Sequence, residues 1–139
     1  MADNDVQISM LFIECDDLTE ELFTKYLNRL LPQVSVHHAC DRHMAIDLLH
    51  NENYDMVVCD ASKHSKDKIV FITQLCKEMP STPILVITTD QNITSDSLCR
   101  DPDCLCVKEV IHKPINLQSL ISKINNILDA IKTERTSKH

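Results

Sequence analysis

The chain has 139 residues, of which 43% are apolar and 25% charged, a balance typical of a single globular domain. It contains no glycine, where roughly ten would be average, which excludes the glycine-dependent phosphate loops, dinucleotide-binding loops and nucleophile elbows of many enzymes. The net charge of −7 and the lack of Trp argue against nucleic acid as a partner, and no apolar run approaches the ~18 residues of a membrane span.

The N-terminus and the cysteines indicate the compartment. The first residues, MADNDVQ, are acidic and polar and do not resemble a signal peptide. The seven cysteines are odd in number, and a chain of this length builds a core without crosslinks. We therefore predict a cytoplasmic protein whose thiols are reduced and mostly buried as small apolar side chains.

Strand-like and helix-like segments alternate five times along the chain. Each strand-like segment is a short, almost continuous apolar run, and each is followed by apolar residues at helical spacing. The predicted strands are Ile8–Ile13, Val34–His38, Met56–Cys59, Ile84–Ile87 and a last one within Val107–Ile111.

The predicted helices are bounded by capping residues and prolines. Asp41 and Asn116 are placed to cap the second and last helices, and Pro32 and Pro80 end the first and third. The apolar face of the first helix is predicted to contain Leu18, Leu22, Phe23, Tyr26, Leu27 and Leu30. The remaining segments are a third helix through Ile69–Met79, a short helix near Thr94–Arg100, and a last helix through Leu117–Ile131.

This order of segments predicts one α/β domain over residues 1–139, with its core between about 8 and 131 and a polar tail, 132–139, that frays. Apolar strands alternating with helices predict a doubly wound parallel sheet covered on both faces. Ligands of such sheets bind outside the carboxyl ends of the strands. The chemically active residues fall at those ends: Glu14, Cys15 and Asp16 after the first strand, Asp60 after the third, Thr88 after the fourth and Lys113 after the fifth.

From about Ile8 to Leu128 the chain resembles the receiver domain of bacterial two-component response regulators. The resemblance rests on four segments in order: ISMLFIECDD, YDMVVCD ending at Asp60, PILVITT containing Thr88, and the Lys113-Pro114 pair. It implies a flavodoxin-like, five-stranded sheet of order 2-1-3-4-5, and a signalling protein rather than an enzyme.

The resemblance also implies the chemistry. Asp60 would accept a phosphoryl group from a sensor histidine kinase or a phosphotransfer protein, and Thr88 and Lys113 would bind that group. Mg²⁺ would be held by Glu14, Asp16 and Asp60. Output would pass to a separate protein through about residues 94–131, with no nucleic acid or membrane as a partner.

Several positions depart from the family pattern, and two of them bear directly on metal binding and on the relay of the signal. When the apolar face of the first helix is kept intact, Cys15 takes a position that normally holds a metal-binding aspartate, and we expect weakened Mg²⁺ binding because a thiolate is a soft ligand. A slip of one residue would place Asp16 there instead, but would turn Phe23 and Leu27 away from the core. Val110 stands where the family usually has an aromatic residue that relays the signal.

Alternatives remain open at this point. Cys15 and Val110 are compatible with a pseudo-receiver that acts without phosphorylation, and Cys15 or the Cys99–Cys106 cluster with a redox or soft-metal sensor. The basic run Lys63–Lys68 is interpreted as a solvated loop, or else as a docking site for an acidic kinase domain. His37 and His38, near Cys40 and His43, would point to opposite faces of a strand, so they are not predicted to form a metal site.

Overall fold

The computed structural model describes residues 7–13, 17–62, 65–99 and 106–137. Its strands are β1 (Ile8–Ile13), β2 (Val34–Ala39), β3 (Met56–Asp60), β4 (Ile84–Thr88) and β5 (Val107–His112). The first helix, α1, consists of α-helix Asp17–Leu22, a π-helical segment Phe23–Leu27 and a last turn Asn28–Leu30. The other helices are α2 (Arg42–Asn51), α3 (Ser65–Glu78), α4 (Ser95–Cys99) and α5 (Leu117–Ser137).

The strands form one parallel sheet of order β2-β1-β3-β4-β5, which confirms the predicted fold class. The four later strands each extend one residue beyond the apolar runs that predicted them. For β3 and β4 the added residues are Asp60 and Thr88. The backbone of both residues is therefore held within the sheet and is not part of a loop.

Two separate cores cover the two faces of the sheet, because successive side chains of a strand point to opposite sides. Leu11, Val57 and Val86 pack with α2, α3 and α4 on one face. Met10, Val58 and Leu85 pack with α1 and α5 on the other. The predicted apolar seam of the last helix is buried there through Leu120, Ile124, Ile127 and Leu128.

The predicted face of α1 is wrong in part. Thr19 is buried, and from it a regular 3.6-residue repeat would reach Tyr26 and Leu30, which are exposed. The π-helical segment adds a residue to the turn, so that Leu27 and Leu31 take the buried places instead. Leu22 is partly buried, Leu18 is exposed, and the side chain of Phe23 lies outside the described residues.

Both predicted caps are confirmed, whereas the end of the last helix is not. Asp41 accepts a hydrogen bond from the main-chain N–H of Met44 (2.9 Å), and Asn116 accepts one from Ser119 (3.0 Å). The tail was expected to fray after Ile131, but α5 continues to Ser137. The reason lies at Arg135, which forms an ion pair with Asp55 and thereby fixes the end of the helix.

Cys76 near the end of α3 and Cys106 before β5 form a disulfide, with Cα atoms 5.6 Å apart. This corrects the expectation of reduced thiols. Both residues are buried in the core of the α2, α3 and α4 face, which brings them together although they lie 30 residues apart in sequence. Of the other cysteines whose side chains are described, Cys59 is buried and Cys40 exposed.

Within the described ranges, no helix is both long enough and apolar enough to cross a bilayer.

Candidate functional site

Three of the predicted site residues meet at the carboxyl edge of the sheet. Asp60 and Thr88 end β3 and β4, and Lys113 follows β5 directly. Main-chain hydrogen bonds tie these strand ends together: the Ala61 N–H donates to the Ile87 carbonyl (2.7 Å), and the Lys113 N–H donates to the Thr88 carbonyl (2.9 Å). Main-chain hydrogen bonds alone therefore hold these strand ends together at the carboxyl edge.

Asp60 and Lys113 form a direct ion pair. The Lys113 Nζ lies 2.7 Å from Oδ2 of Asp60, and the main-chain N–H of Ser62 donates to Oδ1 at 2.9 Å. The side chain of Lys113 is only 15% exposed and that of Asp60 only 4%, so the pair is poorly screened by solvent. A charge-assisted contact in such surroundings fixes the orientation of the carboxylate. The peptide bond after Lys113 is cis.

Thr88 is buried beside this pair but directs its hydroxyl elsewhere. Its Oγ1 donates to the carbonyl oxygen of Ala61 (3.2 Å) and accepts the main-chain N–H of Asp90 (3.0 Å). The hydroxyl thus bridges the residue that follows Asp60 and the loop that follows β4. A phosphoryl group on Asp60 would have to replace the Ala61 carbonyl as the acceptor of this hydrogen bond.

Lys68 is part of the site, although the sequence pattern did not predict it. The interpretation of the basic run as a solvated loop is wrong here: Lys68 lies in the first turn of α3 and is 8% exposed. Its Nζ donates to the main-chain carbonyl of Asp60 at 3.0 Å. The signal was present in the helical spacing, because Lys68 shares the inward face of α3 with Ile72 and Leu75.

The predicted acidic cluster, Glu14, Cys15 and Asp16, lies outside the described residues. It follows Ile13, whose partner in β3 is Cys59, the residue before Asp60. The choice between Cys15 and Asp16 at the key position therefore stays a prediction.

The fit of the site to Mg²⁺ can be tested at Asp60 alone. Mg²⁺ prefers oxygen ligands, and each carboxylate oxygen of Asp60 has further acceptor capacity beside the one hydrogen bond that it accepts from the described residues. The described residues contain no cluster of three metal-ligating side chains, as expected when two of the three predicted ligands fall outside them. Asp60 thus fits as one hard ligand.

The other candidate ligand groups form no metal site within the part of the chain that the structure describes. Cys106 is held in the disulfide, while Cys104 and the side chain of Cys99 lie outside the described residues. His37 contacts the Tyr54 hydroxyl (2.8 Å), and His38 stacks on Phe12 with ring centres 6.0 Å apart. Since Tyr54 and Phe12 belong to different cores, the two histidines face opposite sides, as predicted.

A family model described as the response regulator receiver domain matches residues 10–125, a span that contains Asp60, Thr88 and Lys113. The chain belongs to this family. A search of curated proteins gave no match.

Many solved structures share the fold of this receiver domain. One is the signal receiver domain of a DNA-binding response regulator from Colwellia psychrerythraea 34H, with 22% identity and a TM-score of 0.72 over 88% of this chain and 99% of that one. Another is TrrA from Thermotoga maritima in complex with Mg²⁺ and BeF, with 16% identity and a TM-score of 0.69 over 87% and 99%.

A third similar structure is a response regulator from Burkholderia pseudomallei that contains a phosphorylated aspartic acid, a calcium ion and citrate. It is 18% identical to this receiver domain, with a TM-score of 0.64 over 96% of this chain and 75% of that one. At these identities the likeness establishes the shared fold.

Proposed function

We propose that this receiver domain accepts a phosphoryl group on Asp60 from a histidine kinase or a phosphotransfer protein and signals through protein contacts. The observation that carries the proposal is the ion pair between Asp60 and Lys113, 2.7 Å long and enclosed at the carboxyl edge of the sheet. Family membership supports it, since the span that matches the receiver-domain model, residues 10–125, contains Asp60 and Lys113. The protein acts as the acceptor in this reaction and not as an independent enzyme.

In the reaction, an oxygen of Asp60 forms a bond to the phosphorus of a phosphohistidine, and the bond from phosphorus to the imidazole nitrogen breaks. The imidazole leaves with the electron pair and takes up a proton. Phosphoryl transfer depends mainly on positioning and charge neutralisation. The Ser62 N–H orients the carboxylate, and the Lys113 ammonium moves from Oδ2 to the oxygens of the incoming group.

Glu14, Asp16 and Asp60 would hold a divalent cation, Mg²⁺ by preference for oxygen ligands. When bound, the cation neutralises negative charge on the transferred group. The similar structures with Mg²⁺ and BeF or with calcium and a phosphorylated aspartate support this assignment. Because Cys15 is a poor ligand for Mg²⁺, we expect the affinity to be lower than with an aspartate at that position.

The signal leaves through Thr88. When its hydroxyl turns from the Ala61 carbonyl to the phosphoryl group, its second hydrogen bond, from the Asp90 N–H, draws the loop after β4 with it. That loop leads into α4, and the Nε2 of His112 at the end of β5 donates to the Ile93 carbonyl (2.6 Å). A change at Thr88 is thus passed to the surface of residues 94–131, where a separate output protein would bind.

Intact-mass measurement after incubation with Mg²⁺ and acetyl phosphate tests the proposal. We expect the mass of one phosphoryl group to be added to the wild type and to D55N, but not to D60N. D55N is the matched control because Asp55 flanks the other end of β3 and also pairs with a cation.

Labelling that persists in D60N would refute Asp60 as the acceptor. An unlabelled wild type whose labelling is restored by C15D would point instead to a receiver domain that acts without phosphorylation.

A further inference from the structure

Lys68 carries a buried charge in a place where helix formation does not favour it. It lies in the first turn of α3, next to the positive end of the helix dipole, where a cation is destabilising. It is also 8% exposed, and a buried ammonium is costly unless it is well paired. Lys66, two residues earlier in the same turn, is exposed. Its position in the helix alone therefore does not favour a lysine at residue 68.

The contact of Lys68 points to the acceptor. Its ammonium donates to the main-chain carbonyl of Asp60 at 3.0 Å, while the ammonium of Lys113 binds the carboxylate of the same residue at 2.7 Å. One aspartate thus has a lysine at its backbone and another at its side chain. Both lysines are poorly exposed, and in poorly solvated surroundings a unit charge strongly affects other charges nearby.

We propose that Lys68 is a positioning residue of the acceptor site, a resident cation that fixes the end of β3 and supplies positive charge beside the Asp60 carboxylate. The inference rests on the proposed function, since it assigns Lys68 a part in the same site. Lys68 neutralises part of the negative charge of the Asp60 carboxylate. Because Lys68 and a divalent cation carry like charge, they repel each other, and the lysine lowers the affinity of the site for Mg²⁺.

The first test measures the energetic coupling between Lys68 and Asp60 by urea unfolding, with neither metal nor phosphoryl donor present. K68M keeps most of the apolar stem and removes the charge, and K66M makes the same change at the exposed neighbour. We expect K68M to lower the folded-to-unfolded ratio at least threefold more in the wild-type background than in D60N, whereas K66M acts equally in both. Equal effects of K68M in the two backgrounds would overturn the proposal. If K68M does not fold, K68Q replaces it in the same cycle.

The second test measures Mg²⁺ binding by calorimetry. K68M should bind Mg²⁺ at least threefold more tightly than K66M, because both variants lose one positive charge and only Lys68 lies at the site. K68R, which keeps the charge, should bind like the wild type. Equal affinities of K68M and K66M would overturn the proposed opposition between lysine and metal.

These outcomes are separable from the proposed function. Failure of the wild type to accept a phosphoryl group would remove the proposed function while leaving the unfolding cycle to report on Lys68. Normal phosphorylation of the wild type, with no coupling between Lys68 and Asp60 in the unfolding cycle, would refute the role of Lys68 and leave the proposed function intact.

Discussion

Asp55 lies directly before β3 and Asp60 is its last residue, and each carboxylate pairs with a cation from a distant part of the chain. At the amino edge of the sheet, Asp55 binds Arg135 through Oδ1 and accepts the main-chain N–H of Ser9 through Oδ2 (2.7 Å). At the carboxyl edge, Asp60 binds Lys113 through Oδ2 and the Ser62 N–H through Oδ1.

The two pairs differ in exposure and in what they connect. The side chains of Asp55 and Arg135 are 23% and 43% exposed, and their contacts join β1, β3 and the end of α5. Asp60 and Lys113 are enclosed, and Lys68 adds another ammonium beside them. At the amino edge, the ion pair therefore holds the end of α5 against the sheet. At the carboxyl edge, positive charge is concentrated around the single carboxylate of Asp60. The burial of its ion pair and the additional ammonium of Lys68 distinguish Asp60, the proposed acceptor, from Asp55.

The largest contrast is expected between the two cations. K113M should slow phosphoryl uptake from acetyl phosphate at least about tenfold, because the transferred group loses its positively charged partner. R135M should leave the rate unchanged, since Arg135 lies at the opposite edge. Time courses of the phosphorylated fraction, followed by intact mass, measure both. A rate in K113M equal to that of the wild type would contradict the role assigned to Lys113.

The next effect concerns the metal. C15D should raise Mg²⁺ affinity about tenfold, because a hard carboxylate replaces a soft thiol, and changes around metal sites typically alter affinity by this factor or more. C40D adds the same charge at an exposed cysteine and should have no such effect. Calorimetric titration compares the three proteins. Equal affinities of C15D and C40D would place Asp16, rather than Cys15, at the position of the family's metal ligand.

A smaller effect is expected at the amino edge. D55N should lower the free energy of unfolding by about 1 kcal/mol, because it removes the ion pair with Arg135 and weakens the acceptor for the Ser9 N–H. D47N, at an exposed residue of α2, serves as the control. Urea unfolding measures both variants, and equal stability of D55N and D47N would show that this pair contributes nothing to attachment.

The smallest effect is a pH dependence near the amino edge. Partial burial and the hydrogen bond to Glu52 raise the pKa of Tyr54 to about 12. Because the unfolded tyrosine has a pKa of about 10, the unfolded chain loses this proton first, and the stabilisation present below pH 10 is lost as the pH rises towards 12. Unfolding free energies across this range should therefore fall more steeply for the wild type than for Y54F. Parallel curves for Y54F and the wild type would exclude the effect.

Much of the fold could be predicted because the strands are buried on both faces and read as apolar runs. The ends of β3 and β4 were each set one residue short, since Asp60 and Thr88 are polar but still pair within the sheet. The face of α1 could not be derived from a 3.6-residue repeat, because the π-helical segment changes the period. The extension of α5 to Ser137 depends on Arg135 reaching Asp55, a contact 80 residues distant in sequence.

The contact between Asp60 and Lys113 could be predicted because both residues lie at strand ends and within the segments that resemble the family. The burial of Lys68 was missed because a run of basic residues suggests solvent, although the inward face of α3 extends back to it. The Cys76–Cys106 pairing was also missed, since nothing in the local pattern links a helix end to the start of β5.

The disulfide has a consequence for the covalent topology of the molecule. Residues 76–106 form a closed ring that includes β4 and α4, and Thr88 lies within it. A single cut by a protease inside this ring opens it without separating the chain into two pieces, unless a reducing agent is added. Gel mobility of nicked protein with and without reductant would thus distinguish the crosslinked form from the dithiol form in any preparation.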